Sequence, residues 1–300
     1  MRALVTTPDG PEPVALRDVP EPVPGPNEAL VAVHAFSLNR GELRSVVNNG
    51  EGWIPGQDIA GVVLSGPLTG RRVVCLTDEF GWAERVAVPA HRIVAIPDSV
   101  AFSRACALPV AGLTALRCVR LGGALVGRRV LITGAAGGVG TLAVQIARHA
   151  GAHVTAVVGS KERGIGVGAH ETVIGIENAP GRYALILEAA GGASLAEALK
   201  RIEPNGIVAV YGNSSAEPTS IGFADFRAAQ NARIQSFFYF TSGPEEQFAP
   251  DLSLLVSMVA DGSLRPVIGA ERSWTEFGPV AEQLRARKIP GKAVFLTGVA

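Results

Sequence analysis

The stretch Val130-Leu131-Ile132-Thr133-Gly134-Ala135-Ala136-Gly137-Gly138-Val139-Gly140 decides how this chain folds. Its first four residues are apolar or β-branched and read as a strand. The helical pattern Thr141-Leu142-Ala143-Val144-Gln145-Ile146-Ala147-Arg148-His149-Ala150 follows at once and closes on Gly151, with His149 placed to neutralise the helix C-terminus. A strand, a glycine turn and a helix in that order make an anion site. The first N–H groups of the helix have no intrahelical partner, and the helix end carries partial positive charge. Gly137 lets the backbone approach a pyrophosphate, and Gly140 lets the helix pack close to the strand. Ala135 stands where the strict G-x-G-x-x-G fingerprint has its first glycine. The expectation is a dinucleotide held by Ala135, Gly137, Gly138, Val139 and Gly140.

Which dinucleotide depends on the end of the next strand, Val154-Thr155-Ala156-Val157-Val158. An NAD site wants an acid there, on the ribose 2′-OH. This chain continues Gly159-Ser160-Lys161-Glu162-Arg163, with no acid at the strand end and two cations just beyond it. Ser160 can donate a hydrogen bond, and Lys161 and Arg163 can meet a 2′-phosphate. NADPH is the expected cofactor.

Working outward, near-continuous apolar strands recur at Tyr183-Ala184-Leu185-Ile186-Leu187 and Ile207-Val208-Ala209-Val210-Tyr211. Helical patterns lie between, notably over residues 194–202 and 223–229. Such strands suit a parallel sheet covered on both faces. The first hundred residues are different: short strands, bounded by glycine and proline, suggest a small barrel. Ser103 is expected to cap a helix that Pro109 kinks or interrupts. A helix over 252–260 precedes a tail with one more helix (275–288) and a last strand, Ala293-Val294-Phe295-Leu296. The doubly wound sheet does not need that tail. The expected fold class is therefore α/β, with a Rossmann sheet over 111–264 inserted in a domain made of 1–110 and 265–300.

Lys+Arg 27 balances Asp+Glu 27, which removes the electrostatic basis expected of a nucleic-acid or anionic-membrane partner. No apolar run approaches bilayer length, and the N-terminus has no apolar export segment. Cys75, Cys106 and Cys118 are odd in number and lack CxxC spacing, so reduced thiols in a cytoplasmic protein are expected. An aromatic strand over residues 234–240, from Ile234 to Phe240, falls late in the sheet order. It is expected at an edge, where it would pair with a second copy in a homodimer.

Ser37-Leu38-Asn39 with Arg44, then Ile54-Pro55-Gly56-Gln57-Asp58-Ile59-Ala60-Gly61, form one set of motifs. Gly81-Trp82-Ala83-Glu84, Leu108-Pro109-Val110-Ala111-Gly112-Leu113-Thr114-Ala115, Tyr211-Gly212-Asn213-Ser214 and Gly291-Lys292-Ala293-Val294 continue it. With the glycine turn, they resemble the zinc-independent quinone-oxidoreductase (zeta-crystallin-like) branch of the medium-chain dehydrogenase/reductase superfamily. The resemblance implies a GroES-like β-barrel catalytic domain beside the Rossmann domain. It implies Thr114 beside the nicotinamide, Ser160 and Lys161 at the adenosine phosphate, and Asn213 in a loop after a sheet strand. Phe238 and Lys292 would approach the cofactor or the substrate, and Asn39 the nicotinamide and the reducible group. The segment 161–168 is shorter and richer in glycine than the helix usual there.

Zinc-dependent relatives place Cys and a Gly-His-Glu segment at a catalytic metal. Here those stretches read Ser37-Leu38-Asn39 and Gly56-Gln57-Asp58, and no metal is expected. Without a Lewis acid, a conjugated acceptor, a quinone or an enone, spreads the developing charge. Asn39 or Lys292 would hydrogen-bond the enolate, the final proton would come from water, and Arg44 and Trp53 are candidates for the substrate mouth. Glu188, at a strand end, is open to a structural or a site role. Two alternatives remain: an enoyl-thioester reductase of acyl or polyketide metabolism, and a catalytically silent NADPH-binding regulatory protein.

Overall fold

The computed structural model describes residues 1–10, 12–227, 229–239 and 248–299. It opens with β1 (Arg2–Thr6) and β2 (Val14–Asp18), an antiparallel ribbon. Then come β3 (Glu28–Leu38), α1 (Glu42–Asn48), β4 (Asp58–Ser65), β5 (Arg72–Leu76), β6 (Arg85–Pro89) and β7 (Ile93–Ala95). The helix expected from Ser103 is divided into α2 (Phe102–Ala105), preceded by Ala101 without a side-chain cap, and α3 (Pro109–Arg120). Pro109 lacks an N–H, so it opens a second helix, where that donor would be unpaired anyway.

Next are β8 (Arg129–Ile132), α4 (Gly138–His149), β9 (His153–Val158), α5 (Lys161–Gly164) and β10 (Glu171–Ile174). They are followed by β11 (Tyr183–Glu188), α6 (Gly192–Arg201), β12 (Ile202–Val210) and β13 (Arg233–Ser236). The helix expected over 223–229 is a single 3-10 turn, Phe223–Phe226. The chain ends with α7 (Phe248–Ala260), β14 (Ile268–Ser273), α8 (Phe277–Arg285) and β15 (Lys292–Leu296). No helix among the described residues is long and apolar enough to cross a membrane.

Contacts divide the chain into two units: Met1–Leu113 with Glu245–Ala300, and Thr114–Pro244. The second crossing falls earlier than the expected residue 264. The difference is α7, which packs on β7 and on the turn before it, with the Arg92 guanidinium over the Phe248 ring.

In the 114–244 unit, six parallel strands run in the order β10-β9-β8-β11-β12-β13. The chain starts centrally at β8, walks out to β10, returns to β11 and walks out the other way. Every residue of β11 is buried, as a strand covered on both faces requires. β13 ends the described sheet and all four of its residues are exposed; Phe240, the end of the expected edge strand, lies outside the described residues.

In the other unit the strand order is β14-β15-β3-β4-β5-β7, with β6 also on β3. All pairs are antiparallel except β14 with β15. β3, eleven residues long, is the spine. Its Phe36 stacks on Phe295 of β15 at 5.2 Å and on Trp82 at 5.8 Å, and Phe277 of α8 lies 5.1 Å from Phe295. β15 thus returns the tail to the sheet begun by residues 28–38, with Val294 opposite Ser37.

Candidate functional site

In the 114–244 unit, the strand order reverses between β8 and β11, the place where such sheets bind ligands at their carboxyl ends. The glycine turn stands there. Gly137 is extended and caps α4, while Gly138 and Val139 are half-exposed in its first turn. Their N–H groups have no carbonyl one turn back and point to solvent or a ligand. A Cβ on Gly140 would stand 2.3 Å from Gly134 O and 2.6 Å from Ala135 Cα, so only glycine allows this approach of helix to strand. Ala135 is fully buried and its N–H donates to Val157 O at 3.2 Å. It supports the turn from beneath and has no amide left for a phosphate.

Ser160 follows β9 and caps the one-turn α5, its hydroxyl accepting from Arg163 N at 3.5 Å. Lys161 is exposed and Arg163 half-exposed. The neighbouring Glu162 carboxylate is held below the usual range by its own backbone N–H and by the Ser160 hydroxyl. A second anion at Ser160 would have to displace it.

Glu188 ends β11 fully buried and organises the rim. It accepts from Thr133 Oγ1 at 3.1 Å, Ala190 N at 3.1 Å, Gly191 N at 2.8 Å and Ser194 Oγ at 2.7 Å. Thr133 in turn accepts from Ala189 N at 2.8 Å, and its carbonyl accepts from the Tyr211 hydroxyl at 3.1 Å. The ends of β8, β11 and β12 are therefore tied together. Asn213 lies exposed after β12, with its Oδ1 over Gly191 and 3.1 Å from Ser215 Oγ. Thr114 is buried in α3, and Phe238 is 55% exposed beyond β13.

The other unit holds a buried polar cluster. Lys292 Nζ donates to Asn39 Oδ1 at 2.6 Å, though 253 residues separate them, and to Asp58 Oδ2 at 3.0 Å. Ser37 Oγ and Asn39 Nδ2 also donate to Asp58 Oδ2, both at 2.8 Å, and Val110 N donates to Asp58 Oδ1 at 2.8 Å. Gly291 makes the turn into Lys292 possible: its φ is +64° and a Cβ would lie 2.0 Å from Val267 O. Glu42 accepts from Asn39 N at 2.6 Å and Gln57 N at 2.9 Å. Burial, and then the nearby Asp58, push its carboxyl up to about 8.

Arg44 and Trp53 make contacts outside the polar cluster. Arg44, two residues from Glu42 on α1 and so turned away from it, lines an open cavity of about 660 Å3 with Val47, Asn48 and Arg285. The Trp53 indole donates to Glu79 Oε2 at 2.6 Å.

This chain is 30% identical over 291 residues to the quinone oxidoreductase of Mus musculus, which covers 87% of each protein. The chain is an oxidoreductase of the quinone-oxidoreductase branch of the medium-chain dehydrogenase/reductase superfamily. Residues 138–257 match the family model described as zinc-binding dehydrogenase. A polyketide synthase system protein of Streptomyces orinoci is 32% identical over 269 residues, covering 83% of this chain and 12% of that one. A mycobacterial protein solved in complex with NADPH has the same fold, with a TM-score of 0.89 and 22% identity over 99% of this chain and all of that one.

A zinc ion does not fit the polar cluster of this family member. Asp58 is the carboxylate that the Ser37 and Asn39 side chains contact, and the Lys292 ammonium already lies on it, where it would repel a cation. Among the described residues, no three His, Cys, Asp or Glu side chains could hold a metal ion. Sequence reasoning picked out Asn39 and Lys292 but missed Asp58, which joins them, and Glu42. The available signal was an acid opening the apolar strand Asp58-Ile59-Ala60, because a buried charge needs a partner.

Proposed function

We propose that the chain transfers a hydride from NADPH to a quinone or another α,β-unsaturated carbonyl without a metal. The observation that carries this is the Lys292–Asn39–Asp58 cluster, which puts a buried ammonium on Asn39 and Asp58, in the two stretches that by resemblance correspond to the metal-binding segments of zinc-dependent relatives. The nicotinamide C4–H bond breaks and its hydride goes to the β-carbon of the acceptor. The displaced π pair moves onto the carbonyl oxygen, which Lys292 and Asn39 hydrogen-bond before it takes a proton from water; NADPH leaves as NADP+. Preorganised donors of this kind stabilise charge as it develops. The cofactor assignment is supported by the half-exposed first turn of α4, by Ser160, Lys161 and Arg163 beyond β9, and by the NADPH held by the mycobacterial protein of the same fold. Thr114, Asn213 and Phe238 are proposed at the same cofactor, and Arg44 and Trp53 at the substrate mouth.

A second reading, reduction of an enoyl thioester, is favoured by the similarity to the Streptomyces orinoci polyketide synthase protein. NADPH oxidation at 340 nm against a panel of ortho- and para-quinones, beside crotonyl-CoA, separates the two. Quinone turnover with no crotonyl-CoA turnover is expected; the reverse transfers the assignment to the thioester. Tight NADPH binding without turnover on either makes the chain a silent NADPH-binding protein. The exposed edge strand β13 supports a homodimer with a continuous sheet, tested by sedimentation at micromolar concentration. The free, buried Cys75, Cys106 and Cys118 support a cytoplasmic setting.

A further inference from the structure

Counting donors around Asp58 shows what the cluster leaves over. An ammonium has three N–H groups, and Lys292 directs two of them to Asn39 Oδ1 and Asp58 Oδ2. A primary amide has two, and Asn39 directs one to Asp58. One N–H on each remains, and the two side chains are already 2.6 Å apart. Asp58 itself has nothing left to offer. Its Oδ2 accepts from Ser37, Asn39 and Lys292, and its Oδ1 from Val110 N, so it is not a base or an acid in the reaction. Its carboxylate is fully buried, and a buried carboxylate is tolerated only while a counter-charge faces it.

Glu42 works on the backbone of the same two segments. One of its oxygens accepts from Asn39 N and the other from Gln57 N. It thereby joins the residue that carries the amide to the residue before the carboxylate. Asp58 fixes the side chains and Glu42 fixes the main chain beneath them. Asn39 is the half-exposed member, while Ser37, Glu42, Asp58 and Lys292 are all buried; an acceptor therefore reaches the ammonium past Asn39.

We propose that Asp58, braced by Glu42, is a positioning residue for hydride transfer: it holds Lys292 and Asn39 so that the one N–H each has left faces the acceptor oxygen that gains charge. The inference rests on the metal-free hydride transfer proposed above, and it makes a statement about Lys292 that does not need turnover. The charged and titratable groups around the ammonium are Asp58 of β4, Glu42 of α1 and the Cys106 thiol after α2, with Glu271 of β14 acting on that thiol. Asp58 is the one of these in contact with the ammonium. Replacing it by asparagine keeps the shape and removes the counter-charge, so the ammonium loses the partner that holds it beside Asn39.

Two measurements on Asp58→Asn test this. The chain has four lysines, at 161, 200, 288 and 292, so [ε-13C]lysine labelling gives four resonances, and loss of one in Lys292→Arg assigns the fourth. At constant pH the Lys292 resonance is expected to move in Asp58→Asn toward those of the three exposed lysines, because the ammonium loses the contact that holds it; an unmoved resonance overturns the proposal. In NADPH oxidation with a quinone, kcat is expected to fall about 100-fold, and KM and the NADPH Kd to stay within about twofold. Asp58→Asn combined with Lys292→Met is expected to be no slower than Lys292→Met alone, because the two act as one unit. Wild-type kcat in Asp58→Asn, or losses that add, overturn the proposal. Should Asp58→Asn fail to fold, Ser37→Ala keeps the carboxylate and removes one donor. It is expected to lower kcat about fivefold at constant KM, and an unchanged kcat overturns the proposal. If the wild type turns over no conjugated carbonyl, the functional reading fails while the Lys292 resonance still decides whether Asp58 holds Lys292.

Discussion

Replacing Gly140 by alanine should separate the two uses of the glycine turn. The added Cβ would meet Gly134 O at 2.3 Å, Ala135 Cα at 2.6 Å and Ala135 C at 2.8 Å. All three are backbone atoms, so no side chain can swing aside. Relief requires α4 to move about 1 Å from β8, in an interior packed too closely to absorb it freely. Overpacking of this size costs about 1–3 kcal/mol, or roughly 4–12 °C in the melting of the 114–244 unit. The same movement carries the first-turn N–H groups off their target and should weaken NADPH roughly 10- to 100-fold, the worth of one charge-assisted hydrogen bond. Gly137→Ala is the control. Gly137 has φ −88° and ψ 176°, a conformation open to any residue, and its Cβ would meet only Gly134 O, at 3.2 Å. That variant should melt within about 2 °C of wild type, yet bind NADPH about 10-fold more weakly because a methyl stands where the pyrophosphate approaches. Scanning calorimetry and NADPH fluorescence titration give both numbers. A Gly140→Ala protein that melts like wild type refutes the packing argument. A Gly137→Ala protein that binds NADPH like wild type refutes the phosphate approach.

Three further outcomes follow from the same geometry. Lys161→Ala with Arg163→Ala should weaken NADPH about 30-fold and leave NADH within threefold; equal losses by titration remove the 2′-phosphate assignment. Glu188→Gln leaves one carbonyl oxygen and an NH2 group to face four donors. It should destabilise the 114–244 unit by about 2–4 kcal/mol in urea unfolding, whereas a loss under 0.5 kcal/mol would deny Glu188 its organising role. Glu42, raised from 4.5 to about 8, takes up a proton on folding between those two values. Its contribution therefore declines as pH rises through that window, by at most ~1.4 kcal/mol per pH unit. The stability difference between Glu42→Gln and wild type, measured by urea unfolding at pH 5.5, 6.5 and 7.5, should shift in favour of the variant as pH rises. A difference independent of pH contradicts the burial argument.

The parts of the fold that sequence made legible were those where a local pattern has one solution. Apolar runs such as Tyr183-Ala184-Leu185-Ile186-Leu187 can only be interior strands, and Gly140 between a strand and a helix can only be a close approach. Ownership was harder to see. The periodicity of α7 announces a helix, but it does not say that Arg92 will cover Phe248 and take that helix to the other unit. The chemistry of Arg44 suggests a substrate mouth, but the sequence does not say that it will line a cavity with Val47, Asn48 and Arg285. Asp58 was missed for a different reason: it was read as a zinc neighbourhood that had been lost, and an absence predicts no contact. Its own physics asked for one. The strand Asp58-Ile59-Ala60-Gly61 is buried, and an acid there needs a cation from elsewhere in the chain. Of the four lysines, Lys161, Lys200 and Lys288 are exposed, and Lys292 alone is buried, at the head of Ala293-Val294-Phe295. One buried acid and one buried lysine, each opening an apolar strand, constrain one another across 234 residues. Treated as a demand for charge balance, that pairing predicts the contact that joins the two residues already suspected, Asn39 and Lys292, into one device.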